Sequence, residues 1–349
     1  MPDTLVSERP LHNFVAALFR AVGVSEDHAN RAARALIWAD LRGVASHGVR
    51  LVPMNLRRLQ NGGANPQPDI RRISGTGALE LWDGDFGLGM VIASLCMERA
   101  TELANEHGVG WVSARSGNHL SAAGAYAAEA MARGFVGISL SNSSMSVAIH
   151  GSATRSIGNN PMAIGFPTPQ FPMILDMSAG ISSGGRLGTM RRLGIPIPEE
   201  WLVAPKEPAG ARPAIVPMGA LEGAGAKGSG IAIMIEALTG VIAAGGILGD
   251  LMKGVGFSPT TPDDSSFTMI ALDPRRFLSA EEYAEKAESL VRQLKAVPPA
   301  PDVEEILLPG ERGWRETEQR REHGIPLPED TIESLDAVAV ELDVATPWT

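Results

Sequence analysis

Ser46 and His47 stand side by side in Ala39-Asp-Leu-Arg-Gly-Val-Ala-Ser-His-Gly-Val-Arg50, just past a helical pattern. Catalytic side chains are often carried on such connections between rigid elements. Histidine, with an ordinary pKa of roughly 6.5, gives and takes a proton near neutrality. Most loop histidines are only solvated or bonded to backbone, so His47 needs partners from elsewhere in the chain. One candidate is His119, in Arg115-Ser-Gly-Asn-His-Leu-Ser-Ala-Ala-Gly124. That segment joins a strand pattern to a helix pattern, a junction where free helix N–H groups are available to an anion. In the plainer reading Asn118 or Ser121 caps the helix.

Further polar clusters follow. Ser141-Asn-Ser-Ser144 can bond a ribose, an amide or a phosphate, and it can equally be an ordinary turn. Gly158-Asn-Asn-Pro161 has the same two readings, and Asp176, ending an apolar run, suits a helix cap or a sugar hydroxyl. Gly223-Ala-Gly-Ala-Lys-Gly228 matches the spacing of a dinucleotide fingerprint, but Pro217 interrupts the run before it, so no clean strand leads in. What remains is Lys227 on a glycine-rich loop, able to meet a phosphate. Two other chemistries are not expected. Adjacent residues on an extended segment point to opposite sides, which argues against a hydrolase-type bond between Ser46 and His47. The seven histidines show no metal-binding spacing, so a zinc ligand set would have to be assembled by the fold, from a pair such as His47 and His119.

The elements that must position these groups are readable in part. Leu11, Phe14, Val15, Leu18 and Phe19 recur at helical spacing, and Ser25 before Glu26 and Asp27 marks the start of a second helix. It runs out at Gly43, which leaves Ser46 and His47 in the connection to a third helix from about Pro53 to Gly62. Beyond residue 74 short apolar runs alternate with helical patterns. Leu79–Trp82, Val109–Ala114, Phe135–Ser141, Met173–Asp176 and Phe267–Leu272 predict strands. Met90–Ala104, Ala122–Arg133, Ile231–Ala244 and Ala280–Leu294 predict helices. Pro196–Pro217 reads as a long ordered loop or crossing. The whole is an α/β layer pattern between helical chain ends.

Composition narrows the function. A formal charge of −10 with no dense Lys/Arg run argues against a nucleic-acid partner. The single cysteine, Cys96, rules out an internal disulfide, and its apolar neighbours make it a core residue. Residues 1–10 lack the apolar stretch of a signal peptide, and the longest apolar segment, Gly230–Leu248, contains Glu236 and reads as a buried helix plus a loop rather than a membrane span. A cytoplasmic protein is the expectation.

Taken together, Asp40-Leu-Arg-Gly-Val-Ala-Ser-His-Gly48, Ser116-Gly-Asn-His119, Ser141-Asn-Ser-Ser144, Gly158-Asn-Asn-Pro161, Leu175-Asp-Met177, Gly225-Ala-Lys-Gly228 and Leu308-Pro-Gly-Glu311 resemble the type II malate/L-lactate dehydrogenase family. That family includes sulfolactate, ureidoglycolate and 2,3-diketogulonate-type reductases and cyclic imino-acid reductases. The segments occur in the family's order and span about residues 10 to 330. The resemblance implies a homodimer with a non-Rossmann NAD(P)-binding sheet domain packed against a helical domain built from both chain ends. The helical domain would take residues 1–73, about 180–222 and 298–349; the cofactor-binding α/β domain would take 74–179 and about 223–297.

Carried over by position, the resemblance makes His47 the proton donor, Ser46 its support, and His119 a catalytic or cofactor-contacting residue. Ser143, Asp176, Met177, Ser178, Lys227, Gly310, Glu311 and Arg312 would hold NAD or NADP, and Asn159 would lie with the substrate. A 2-oxo acid needs a proton on its oxygen, which His47 can donate, and a cation on its carboxylate. Arg50 is the first candidate for that cation, with Arg186 and Arg115 behind it. The chain departs from the family pattern at Leu51, where an arginine is usual, at Ser183-Gly-Gly-Arg186, and at Ala226, where a histidine is common. The implied reaction is therefore interconversion of a small hydroxy acid and oxo acid of the malate, lactate or sulfolactate kind. Reduction of a cyclic imino acid, a metal-assisted or Ser-His hydrolase, and a silent dinucleotide-binding homologue are the alternatives.

Overall fold

The computed structural model describes residues 3–204, 212–254 and 258–348. In chain order its first elements are β1 (Thr4–Val6), α1 (Glu8–Ala21), α2 (Glu26–Leu41), two 3-10 turns (Ala45–His47 and Val49–Leu51), α3 (Val52–Asn61), β2 (Arg71–Thr76), β3 (Leu79–Asp83), α4 (Gly89–His107), β4 (Val109–Gly117), α5 (Gly124–Met131) and β5 (Val136–Ser141). There follow β6 (Met145–Val147), β7 (Ile157–Gly158), β8 (Met162–Phe166), β9 (Met173–Met177), α6 (Gly184–Arg192), β10 (Leu202–Val203), β11 (Ala214–Ile215) and α7 (Gly225–Glu236), which runs into a π-helical turn, Ala237–Val241. The last are β12 (Ser265–Leu272), α8 (Ala280–Lys295), α9 (Glu311–His323), β13 (Ile325–Leu327) and α10 (Glu329–Glu341).

The strong sequence signals have direct counterparts. The apolar stripe of α1 is buried, and Ser25 starts α2 by accepting the N–H of His28 at 3.4 Å. Gly62 ends α3 at a φ of 86°, a left-handed conformation that glycine takes without strain. The protein is α/β, but its seven-stranded sheet, in the order β2-β3-β4-β12-β5-β8-β9, is not a doubly wound one. Among the described strands of this sheet only β3 and β4, joined through α4, run parallel.

One continuous core unites the chain ends with the sheet: Phe19, Leu36, Leu56 and Leu335 belong to the same buried cluster as Met97, Tyr126 and Phe267. Helices α4 and α5 thus form a middle layer between the sheet and α1–α2. β1 pairs with β13, tying the two ends together. The middle of the chain builds a second, smaller layer. β10 and β11 join β6 and β7 in a four-stranded sheet, and Leu187, Ile215 and Ala232 share a second small core with Val147 and Ile157. Residues 205–211 of this Pro-rich crossing lie outside the described ones.

Two expectations are corrected. The helix predicted at Ile231 begins at Gly225, so Lys227 stands in a first helical turn and not on a loop. Gly230–Leu248 is not wholly buried: Ala232 packs in the small core and the Leu238 carbonyl accepts the hydroxyl of Thr268 on β12, while the opposite side stays open. Ile233, Met234, Val241 and Ile242 are exposed. Among the described residues no helix is long and apolar enough to cross a membrane.

Candidate active site

α2 delivers the first histidine. Gly43, at a φ of 77°, ends the helix, and the chain bends through the two 3-10 turns with Gly48 between them. Because Ser46 and His47 lie on a 3-10 turn and not on an extended segment, neighbouring side chains come together. Ser46 Oγ stands 2.9 Å from His47 Nδ1, which corrects the expectation that these two groups diverge. Nε2 of His47 has no hydrogen-bond partner among the described residues.

β4 delivers the second. Its end leads into a turn with Ser116 and Ser121 at positive φ, and the ring of His119 comes to lie 5.6 Å from that of His47 at an interplanar angle of 31°. Ser121 holds both: its N–H donates to His119 Nδ1 at 3.3 Å, and its hydroxyl donates to the carbonyl oxygen of His47. A neutral His119 therefore carries its proton on Nε2. Burial lowers the pKa of both rings, that of His119 to about 3 with help from His47 and Arg58. Neither Asn118 nor Ser121 caps α5. Asp176 does, accepting the N–H of Gly124 at 3.0 Å, while enclosure raises its carboxyl to about 6 against the pull of Arg42.

The two histidines share a cavity of about 520 Å³. Ser143, Asn159, Asp176, Met177, Ser178, Gly310 and Arg312, all expected in the site, line it together with Arg42. His47 and Arg312 also line a second cavity of about 450 Å³, with Ser46, Arg50 and Arg186. Three expected residues, Lys227, Glu311 and Arg115, lie outside both. Lys227 is exposed on α7, and Glu311 turns inward to Lys295 at 2.8 Å, Arg315 at 2.6 Å and the N–H of Leu308 at 3.0 Å. Arg50 reaches the second cavity but is engaged by Asp330 at 3.2 Å, a carboxylate that Arg192 also holds at 2.8 Å. Arg186 has no carboxylate among the described residues and lies over the ring of Trp201. Arg115, the other reserve cation, is paired with Asp83 at 3.1 Å and lines neither cavity.

Several charged groups at the site have a role that no sequence motif announces. Asp263 lines the first cavity, accepts the N–H of His119 at 3.2 Å and pairs with buried Arg58 at 2.8 Å. Glu236 is buried behind the serine turn, where it takes Asn160 Nδ2 at 2.8 Å, Asn142 Nδ2 at 3.3 Å and the N–H of Leu248 at 3.1 Å. The asparagines of both polar motifs thus point inward, and Asn160 Oδ1 in turn accepts the N–H of Ser143 at 3.1 Å. Replacing Glu236 by Ala strands these donors, so we expect a loss of roughly 3 kcal/mol in unfolding free energy. Denaturant titration checks it; a loss under about 1 kcal/mol would show the knot to be dispensable.

Among the described residues no three His, Cys, Asp or Glu groups come close enough to hold a metal ion. What the site does present is a pair of neutral imidazoles on a cavity rimmed by hydroxyls, two carboxylates and two guanidiniums, a set suited to proton transfer beside an anionic, hydroxyl-bearing ligand.

The comparisons with known proteins agree. The malate/L-lactate dehydrogenase family model matches residues 6–336. The chain is 34% identical to a malate dehydrogenase of Pyrococcus horikoshii, over 96% of this chain and 94% of that one. It is 32% identical to an L-sulfolactate dehydrogenase of Methanocaldococcus jannaschii, over 93% of each. The solved structure of the Pyrococcus horikoshii malate dehydrogenase superposes with a TM-score of 0.88, covering 99% of this chain and 97% of that chain at 31% identity. The chain belongs to the malate/L-lactate dehydrogenase family.

Proposed function

We propose that the protein interconverts small 2-hydroxy acids and 2-oxo acids with NAD or NADP, using His47 as the acid and base. The observation that carries this reading is the state of the His47 ring. Ser46 Oγ stands 2.9 Å from Nδ1, and in the tautomer that carries its proton on Nδ1 the ring donates to Ser46 and keeps Nε2 as the working nitrogen in the cavity wall. In oxidation, neutral Nε2 takes the hydroxyl proton. In reduction, the imidazolium returns it from the same nitrogen to the oxygen, and the bond to Ser46 survives both directions. His119, with its proton on Nε2, adds a neutral donor beside it.

The residues present fit a nicotinamide dinucleotide. Asp176 and the hydroxyls of Ser143 and Ser178 suit ribose hydroxyls, and the guanidiniums of Arg42 and Arg312 suit a pyrophosphate. When bound, that cofactor supplies and accepts the hydride. The substrate carboxylate falls to Arg186 in preference to Arg50. A Cβ at the neighbouring Gly185 would lie 3.3 Å from Ser46 Cβ and 3.7 Å from His47 Cε1, so the start of α6 abuts the histidine turn.

A panel of 2-oxo acids and cyclic imines, each offered with NADH and with NADPH, tests the proposal alongside thermal shift with the dinucleotides alone. We expect a rise in the melting midpoint with at least one dinucleotide and turnover of a 2-oxo acid. No shift with either, or turnover of imines alone, would overturn it. The same panel identifies the preferred acid and cofactor.

A further inference from the structure

The carboxyl of Asp40 takes no part in the proton transfer described above, yet the histidine turn is built around it. It lies in the last turn of α2 and is 2% exposed. Three N–H groups of the bend find backbone carbonyls within it: His47 donates to Val44, Gly48 to Ala45 and Leu51 to Gly48. The N–H of Val49 goes instead to Asp40 Oδ2 at 2.7 Å. The other carboxyl oxygen fills the space beside Gly48, where a Cβ would lie 1.9 Å from Oδ1. Across the turn, Ser121 holds the carbonyl of His47. The turn is thus gripped on both flanks, and from α9 Arg320 donates to the carbonyl oxygen of Asp40 at 2.6 Å.

We propose that Asp40 is a positioning residue for the reaction: by holding the Val49 N–H and packing against Gly48, it fixes the bend between the two turns and so aims the His47 ring. The proposal rests on the reading of His47 as the acid and base. A misplacement of about 1 Å at such a group costs roughly 10²-fold in rate, so a buried clamp of this kind acts on turnover and not on dinucleotide affinity. Burial pushes the Asp40 carboxyl up to about 7, against the Val49 N–H and the charge of Arg320. Its remaining ionisable surroundings are His47 on the turn, Arg186 and Arg192 on α6, and Arg50 and Arg312, which share the second cavity with it.

The test compares Asp40→Ala, Asp40→Asn, Gly48→Ala, the Asp40→Ala/Gly48→Ala double variant and His47→Asn in the full chain, reading kcat, KM, dinucleotide affinity and melting midpoint. Asp40→Ala should lower kcat about 10²-fold with dinucleotide affinity retained, and Asp40→Asn, whose amide oxygen can accept the Val49 N–H, should restore kcat to within about tenfold. Gly48→Ala should reproduce the loss, because its methyl displaces the carboxyl. Added to Asp40→Ala it should cost little more, since the clash is gone. The fold favours the neutral carboxyl, so wild-type stability relative to Asp40→Asn should be greatest below 3.8 and decline as pH rises from there through about 7.

A folded Asp40→Ala with wild-type kcat, an Asp40→Asn as slow as Asp40→Ala, or additive losses at Asp40 and Gly48 would overturn the proposal. If Asp40→Ala does not fold, a folded Gly48→Ala with undiminished turnover does the same. Turnover retained by His47→Asn sinks the His47 reading instead, so the two failures are distinct.

Discussion

His47→Asn is expected to cut turnover by about 10²- to 10⁴-fold while leaving dinucleotide binding unchanged. Asparagine keeps polarity and approximate size at the Ser46 contact but cannot exchange a proton near neutral pH. Steady-state kinetics with a dinucleotide titration separates the two effects, and undiminished kcat would remove His47 from the reaction. The sign of the pH dependence gives a second check in the wild type. Burial holds the His47 pKa below its ordinary 6.5, so the neutral base dominates at pH 7. Oxidation should rise with pH through that lowered value and level off before neutrality. Reduction, which needs the imidazolium, should fall over the same interval. Two limbs of opposite sense around one ionisation belong to a single acid and base.

Arg186→Ala should lower kcat/KM for the acid by about 10- to 100-fold, the worth of a charge-assisted contact of roughly 1.5–3 kcal/mol. Most of the loss should fall on KM, because the carboxylate is gripped in ground state and transition state alike. Arg186→Lys should recover only part of it, since an ammonium cannot present the planar fork of a guanidinium. Arg50→Ala should have the smaller effect, given its engagement with Asp330. The reverse order of effects would return the carboxylate to Arg50.

The sequence was legible where a residue's role is set by its near neighbours. The stripe of α1, the Ser25 cap, the stop at Gly62 and the strands β4, β5, β9 and β12 each rest on signals within a few residues. β6, β7, β10 and β11 were not readable, because strands of two or three residues have no periodicity and gain their stability from each other across the chain. The site divides the same way. His47, His119, Ser143 and Asp176 fall in distinctive local motifs, whereas Asp263 meets Arg58 from 205 residues away with no pattern to announce it. Glu236 stands out only as a charge in an apolar run that argues against a membrane span, with nothing to name the two asparagines it binds. Spacing misplaces Ser46 relative to His47 because side-chain direction depends on the turn type, and the turn type is fixed by Asp40 and Gly48 through contacts that spacing does not encode.

Arg42 and Arg320 tie the early histidine turn to residues that are synthesised last. Arg42 donates to the carbonyl of Gly310 at 2.8 Å, and Arg320 reaches back to Asp40 across 280 residues. The turn that carries His47 is made early, but its outer brace and the Arg312 guanidinium arrive only with α9. On the ribosome, a chain that has folded its sheet still lacks part of the cavity wall, and catalytic competence must wait for those late residues to dock.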